Sequence, residues 1–276
     1  MSSRKLLKSL RRVYYRSTAA LRVRPDFVVI GAMKCGTSTL FERLRQHPQI
    51  IPSHRKEVHF FDRHYEAGER WYRANFPYTW NVPHGAISGE ASPFYLLCPP
   101  IAERIHTFNP DMRLIALLRN PVERAVSHYF HALRSGKESL PIMDALDAEE
   151  ERTAAAWQRA LQGECSYDRE LIWFSYQRRG LYLEQLQRYW QVFDREQLHI
   201  DGSDRLFGDP ATCLADIFNF LGVDADFQVP VQKSRGIATN KQALPDAVYE
   251  RLRDYFREPN AQLFTALDRD LGWNNT

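Results

Sequence analysis

No run of about 18 apolar residues occurs in this 276-residue chain, so the sequence offers no membrane-spanning helix. No apolar core follows the basic first residues, which argues against a secretory leader. Cysteine is scarce. Cys35, Cys98, Cys165 and Cys213 are scattered without a C-x-x-C, so neither a zinc site nor a disulfide framework is expected, and a reduced, cytoplasmic setting follows. Repeats, low-complexity tracts and Pro/Gly/Ser-rich linkers are missing too, so residues 25–276 read as one domain. Acid is absent from residues 1–24, which carry eight Lys/Arg; removing them from the net +3 leaves the body at −5. In this basic arm Leu6, Leu7, Leu10, Val13 and Tyr14 recur at near-helical spacing. Two readings stand: a helix lying on an anionic inner-membrane surface or docking on the body, and a frayed, solvated helix.

What is present suffices for a large core, with 44% hydrophobic and 13% aromatic residues. Phe27–Ile30 and Arg113–Leu118 (RLIALL) are short apolar runs of the kind buried in parallel sheets. Gln197–Ile200 and Ala86–Gly89 are further strand candidates. Helices are predicted at 37–46, 66–75, 99–107, 121–134, 168–193, 211–221, 246–257 and 260–270. Strands alternating with helices predict an α/β fold with a parallel sheet covered on both faces. The charged stretch 135–168, with Glu149-Glu150-Glu151, reads as a surface helical insertion and a candidate lid.

The first strand runs into GAMKCGTSTL, residues 31–40, where Gly31 and Gly36 keep phosphate-loop spacing but Thr37 stands at the lysine position. The lysine, Lys34, lies inside the loop instead. A glycine-rich strand-to-helix turn aims amides at one point, and the helix dipole favours an anion there. Thr37, Ser38 and Thr39 add hydroxyls, although they would serve equally in an ordinary capped turn. Cys35 has no general base visible in sequence and reads as a small loop residue. A magnesium-dependent NTPase needs a carboxylate at a strand end. RLIALL ends in Arg119 instead, and Ser127 follows two turns into a helix opened by Asn120-Pro121. A strand-mouth salt bridge and plain helix surface are the bland readings of those two residues. Taken with the loop, they suggest a ligand with two separated anionic groups and no metal. The rival enzyme reading is a P-loop kinase or NTPase. The rival non-enzyme reading is an anion- or nucleic-acid-binding module, which the acidic body and the lack of a basic aromatic stripe oppose.

These motifs resemble the sulfotransferases that use 3′-phosphoadenosine-5′-phosphosulfate, above all the heparan-sulfate N- and O-sulfotransferase type. GAMKCGTSTL is similar to their 5′-phosphosulfate loop and RLIALLRNPVERAVSHY to their 3′-phosphate motif. KEVHFFD (56–62) is similar to the strip carrying their catalytic glutamate, and GEASPFY (89–95), GLYLEQLQRYW (180–190) and YFREPNAQLF (255–264) follow in order. The resemblance implies a P-loop-like three-layer fold. It implies that the 5′-phosphosulfate is held by Lys34, Gly36, Thr37 and Ser38, with Cys35 and Thr39 in the same loop, and the 3′-phosphate by Arg119 and Ser127. The late loop, KSRGI, places Arg235-Gly236 where the family has lysine-glycine, with Ile237 replacing an arginine that Lys233 would make good. Ala91 departs from a lysine common in the glycan enzymes, and a family cysteine pair before the late loop is missing. The eukaryotic glycan enzymes are membrane-anchored and Golgi-facing, so this chain is expected to be a soluble, bacterial-like cytoplasmic member.

The resemblance makes Glu57 the general base and gives Lys34 the leaving oxygen. Against it stands an ion pair of Glu57 with Lys56 or Arg55, which would weaken the base. His59 is expected to orient Glu57 or to contact the acceptor; a satisfied core histidine is the alternative. Asp62 reads as a turn residue or a partner for a nearby cation. Tyr182 and Trp190 read as packing aromatics. His54, Arg55 and Lys56 would suit an anionic acceptor, a glycan or lipid headgroup, or else form a solvated face.

Overall fold

The structure, a computed structural model, describes residues 17–230 and 244–273. Its sheet contains β1 (Phe27–Gly31), β2 (Ile50–Pro52), β3 (Ile87–Ala91), β4 (Arg113–Leu118) and β5 (Leu198–Gly202), in the order β2-β3-β1-β4-β5 with every pairing parallel. Around it lie α1 (Thr37–Leu44), α2 (Phe60–Arg63), α3 (Glu69–Arg73), α4 (Ile101–Phe108), α5 (Pro121–Arg134), α6 (Ile142–Asp147) and α7 (Glu149–Leu161). They are followed by α8 (Arg169–Phe174), α9 (Tyr182–Trp190), α10 (Ser203–Gly208), α11 (Pro210–Leu221) and α12 (Asp246–Leu267). This is a P-loop-like three-layer α/β fold.

β1 is buried along its whole length, as is β4 from Leu114 to Leu118, because helices cover both faces and leave no polar side for alternation. Each fully buried Val, Ile, Leu or Phe there contributes about 1.5–3 kcal/mol. The parallel order sends the loops after β1, β3 and β4 to one edge, where ligands of open α/β sheets bind. Among the described residues no helix is long and apolar enough to cross a membrane.

Several sequence expectations change. The predicted helix 168–193 is broken between α8 and α9 by a 3-10 turn at Arg178–Gly180. There the buried Glu149 carboxylate accepts from the amides of Gln177 (2.6 Å) and Arg178 (2.9 Å). Gly180 packs so close to Phe256 that an added Cβ would stand 2.6 Å from its ring. The two predicted helices 246–257 and 260–270 are instead the single α12, which runs through Pro259. The stripe Val248, Leu252, Phe256, Asn260 and Leu263 stays buried on both sides of the proline, and that packing offsets a helix cost of roughly 3 kcal/mol. Stretch 135–168 is not mere surface: Ala156, Trp157 and Ala160 of α7 belong to the main core. At the arm's end, Arg22 is buried, donating to the Phe76 carbonyl (2.6 Å) and lying 4.0 Å from the centre of the Tyr78 ring. Residues 17–24 therefore dock on the body, while 1–16 lie outside the described residues.

The cysteines also correct the expectation. Cys98 and Cys165, 67 residues apart, form a disulfide, while Cys35 and Cys213 are buried thiols. Sequence spacing could not show a pairing made by the tertiary fold, and the premise for a reduced setting no longer holds. A crosslink of this span contributes about 4 kcal/mol through the unfolded state. Dithiothreitol should therefore lower the calorimetric melting temperature by about 7 °C, and a Cys98→Ser/Cys165→Ser double variant should melt low and ignore the reductant.

Candidate active site

A cavity of about 810 Å³ opens at the carboxyl edge of the sheet, and it gathers Lys34, Gly36, Thr37, Ser38, Thr39, Glu57, His59, Arg119 and Ser127. Five Lys/Arg side chains line it against three carboxylates, so it favours an anionic ligand.

The floor is the β1–α1 loop. Gly36 sits at φ +90°, and a Cβ there would meet the Phe207 ring at 3.1 Å, so the position requires glycine. No side chain caps α1, which leaves its first amides directed at the cavity. Lys34 has no ion-pair partner among the described residues, and it too is left-handed, at φ +72°. Burial, then the charges of Arg134 and Arg119, lower its pKa. Cys35 turns away: its buried thiol lies 3.7 Å from the Tyr182 hydroxyl and its amide donates to the Ala32 carbonyl. Burial pushes that thiol up to about 11, which disfavours the reactive thiolate, and Cys35 is not among the residues bordering the cavity.

One face of α5 forms a wall. The Asn120 side chain caps it by accepting from the Val122 amide (3.0 Å), with Pro121 at the first turn. Side chains 119, 123, 127, 131 and 134, at helical spacing, all border the cavity. Arg119 Nε donates to Glu123 Oε2 at 2.9 Å, so the strand-mouth ion pair exists within the site itself.

The opposite wall is the turn Lys56–His59. Glu57 (φ +59°) and His59 (φ +55°) are both left-handed rather than extended. Non-glycine residues in that region cost about 1–3 kcal/mol each, and they concentrate at functional sites. Glu57 Oε2 lies 3.3 Å from His59 Nε2, and Glu57 Oε1 accepts from Lys56 Nζ at 2.9 Å. Lys56 also donates to Ser38 Oγ (2.9 Å), tying this turn to the start of α1. The His59 hydrogen bond, then the Lys56 charge, hold Glu57 down at about 2 against the opposing effect of burial. Burial alone would lower His59, but its bonds to Asp62 and Glu57 raise it to about 9. Asp62, whose side chain is wholly buried, accepts from His59 Nδ1 at 2.8 Å. The ion pair weighed against catalysis therefore coexists with a Glu57–His59–Asp62 chain.

Tyr167 escaped the sequence reading. It stands at φ +60°, its ring centre 4.3 Å from that of His59, two residues beyond the Cys98–Cys165 crosslink. With Phe94, Ile172 and Trp173 it makes an aromatic and aliphatic wall near Glu57, beside the buried Arg179. Arg235 and Gly236 lie outside the described residues.

The sheet, its β1–α1 loop and the cation-lined cavity define a P-loop-like α/β protein with a cationic cleft at the carboxyl edge of its sheet. The chain belongs to the sulfotransferase family: residues 24–242 match the sulfotransferase domain. It is similar to human heparan sulfate glucosamine 3-O-sulfotransferase 6, at 31% identity covering 90% of this chain and 73% of that one. It is also similar to the membrane-associated sulfotransferase kil1 of Dictyostelium discoideum, at 25% identity covering 91% and 67%. A sulfotransferase structure from Alicyclobacillus acidocaldarius superposes with a TM-score of 0.73 at 33% identity, covering 92% of this chain and 100% of that one.

Proposed function

We propose that this chain is a 3′-phosphoadenosine-5′-phosphosulfate-dependent sulfotransferase acting on a hydroxyl or amine of an acceptor, with Glu57 as base. The observation that carries the reading is one cavity bordered by Lys34 and Glu57, with Arg119 at the end of β4 and Ser127 on α5. The residues fit a donor with two anionic ends. Lys34, Gly36, Thr37, Ser38 and Thr39 would hold the 5′ end, and Arg119 and Ser127 the 3′-phosphate, with Arg235 and Gly236 completing the grip. When bound, the donor supplies the activated sulfuryl group. Lys34, Lys56 and the α1 amides supply fixed positive potential at that end. Glu57 takes the proton of the acceptor hydroxyl or amine, and His59, charged and braced by Asp62, keeps the carboxylate aimed.

The relative named for heparan sulfate glucosamine favours a glycan acceptor. The Phe94, Tyr167 and Trp173 wall beside Arg179 and Lys56 suits a sugar ring with an anionic substituent. A lipid headgroup carrying such a ring would suit it equally.

Calorimetric titration with 3′,5′-adenosine bisphosphate in a chelating buffer tests the donor assignment. Binding with 1:1 stoichiometry is expected, and a positive result warrants an acceptor screen. Binding of ATP only, and only with magnesium, would make the site that of a kinase or NTPase.

A further inference from the structure

Beneath the Glu57–His59 turn lies a buried network that no step above uses. It centres on Glu90 of β3, whose exposure is 0%. The turn's amides all end on β3 or the residues just after it. Glu57 N–H donates to the Ala91 carbonyl (3.0 Å) and Val58 N–H to Glu90 Oε2 (3.3 Å). His59 N–H donates to Ser92 Oγ (3.2 Å) and Phe60 N–H to the Tyr95 hydroxyl (2.7 Å). Both hydroxyl relays then donate to the same carboxylate: Ser92 to Glu90 Oε2 (2.7 Å) and Tyr95 to Glu90 Oε1 (3.0 Å). Tyr72 adds a fourth donor, its hydroxyl 3.2 Å from Glu90 Oε1.

We propose that Glu90 is a positioning residue for sulfuryl transfer, holding the turn that aims Glu57 and His59 into the cavity. The inference rests on the function proposed above. A left-handed conformation at two residues out of three is unfavourable, and it persists only where surrounding bonds over-determine it. An acceptor with two oxygens can receive all four donors at once, and among side chains only a carboxylate does this. Glutamine cannot. If its single oxygen faces Val58 and Ser92, its NH₂ group faces Tyr95, whose oxygen already accepts from Phe60 and whose proton then has no acceptor. Turned the other way, the Val58 amide meets an N–H group. One arm fails in either orientation, and a failed buried arm is expensive.

The test is a histidine NMR titration, which needs neither donor nor acceptor. His59 is faced by Glu57, Asp62 and the Tyr167 ring, with Lys56 acting through Glu57. In the wild type it should titrate near 9. In Glu90→Gln the midpoint should fall toward the ordinary 6.5, because Glu57 is no longer held against the imidazole. Ser92→Ala, which removes only the His59 relay, should move it the same way by less. Tyr72→Phe removes a bond of equal kind to Glu90 without touching the turn, and it should lower the melting temperature while leaving the midpoint in place. In turnover, Glu90→Gln should lower kcat about tenfold or more with bisphosphate affinity unchanged. An unmoved His59 midpoint in both Glu90→Gln and Ser92→Ala overturns the proposal, and Glu90 then serves the fold alone. Should Glu90→Gln fail to fold, Ser92→Ala decides. A wild type that binds no bisphosphate sinks the functional reading, yet the titration still decides whether Glu90 positions the turn.

Discussion

Glu57→Gln is expected to lower kcat by about 10²–10⁴-fold, the range for loss of a general base, while bisphosphate affinity stays within about twofold. The isosteric amide keeps the side chain's shape and one of its two acceptor contacts, to Lys56 or to His59, but cannot take a proton. A change in KM alone would instead make Glu57 a binding residue. The pH profile sharpens the test. Glu57 is held at about 2, so its carboxylate is already formed across the working range and no acid limb is expected near its ordinary 4.5. His59 is raised to about 9, so kcat/KM should fall as pH climbs through that value and the charged partner is lost. Linkage gives the matching stability signs. The depressed Glu57 contributes stability above 4.5 that disappears as pH falls through about 2, and the raised His59 contributes below 6.5 and is lost as pH rises through about 9. A base held so low by His59 and Lys56 is weak. Acceptor binding that draws Lys56 away would raise its basicity, and the Lys56–Ser38 bond shows that Lys56 already reaches the loop.

Arg119→Ala is expected to weaken bisphosphate binding by about 2–4 kcal/mol, roughly 30- to 1,000-fold, measured by the same calorimetry. The guanidinium offers a planar fork that lysine does not reproduce, so Arg119→Lys should recover little. Glu123 makes the experiment directional. Its carboxylate accepts from Arg119, so it competes with a phosphate for the guanidinium. Glu123→Gln should tighten binding, opposite in sign to Arg119→Ala. Equal affinity in wild type and Arg119→Ala would remove Arg119 from the donor site and return it to a strand-mouth ion pair. Lys34→Ala should fall more heavily on kcat than on product affinity, since its charge is most needed where negative charge develops.

What the sequence made legible follows from the range of the interactions involved. Apolar runs marked β1 and β4, because strands buried on both faces need no partner to look different. The loop around Lys34 and the capped start of α5 were readable because their signals are local. β2 and the four-residue α2 are too short to carry a periodic pattern, and Pro52 further masks β2, which survives at the sheet edge. The His59–Asp62 bond spans three residues, but His59 is left-handed there, which no propensity foretells. The Glu90 network, the Tyr167 ring over His59 and the cysteine pair join residues up to 108 positions apart. Only the folded chain brings these together.

The crosslink at Cys165 bears on how the protein is prepared. It ties the loop that presents Tyr167 to the segment following β3, while the β1–α1 loop carries neither of its cysteines. Under the proposed function, protein made in a reducing bacterial cytosol would keep the β1–α1 donor loop and loosen the Tyr167 wall assigned to the acceptor. Such a sample would pass every nucleotide-binding check and still fail an acceptor screen. The history of the sample, rather than the choice of compounds, would decide whether the natural acceptor is ever found.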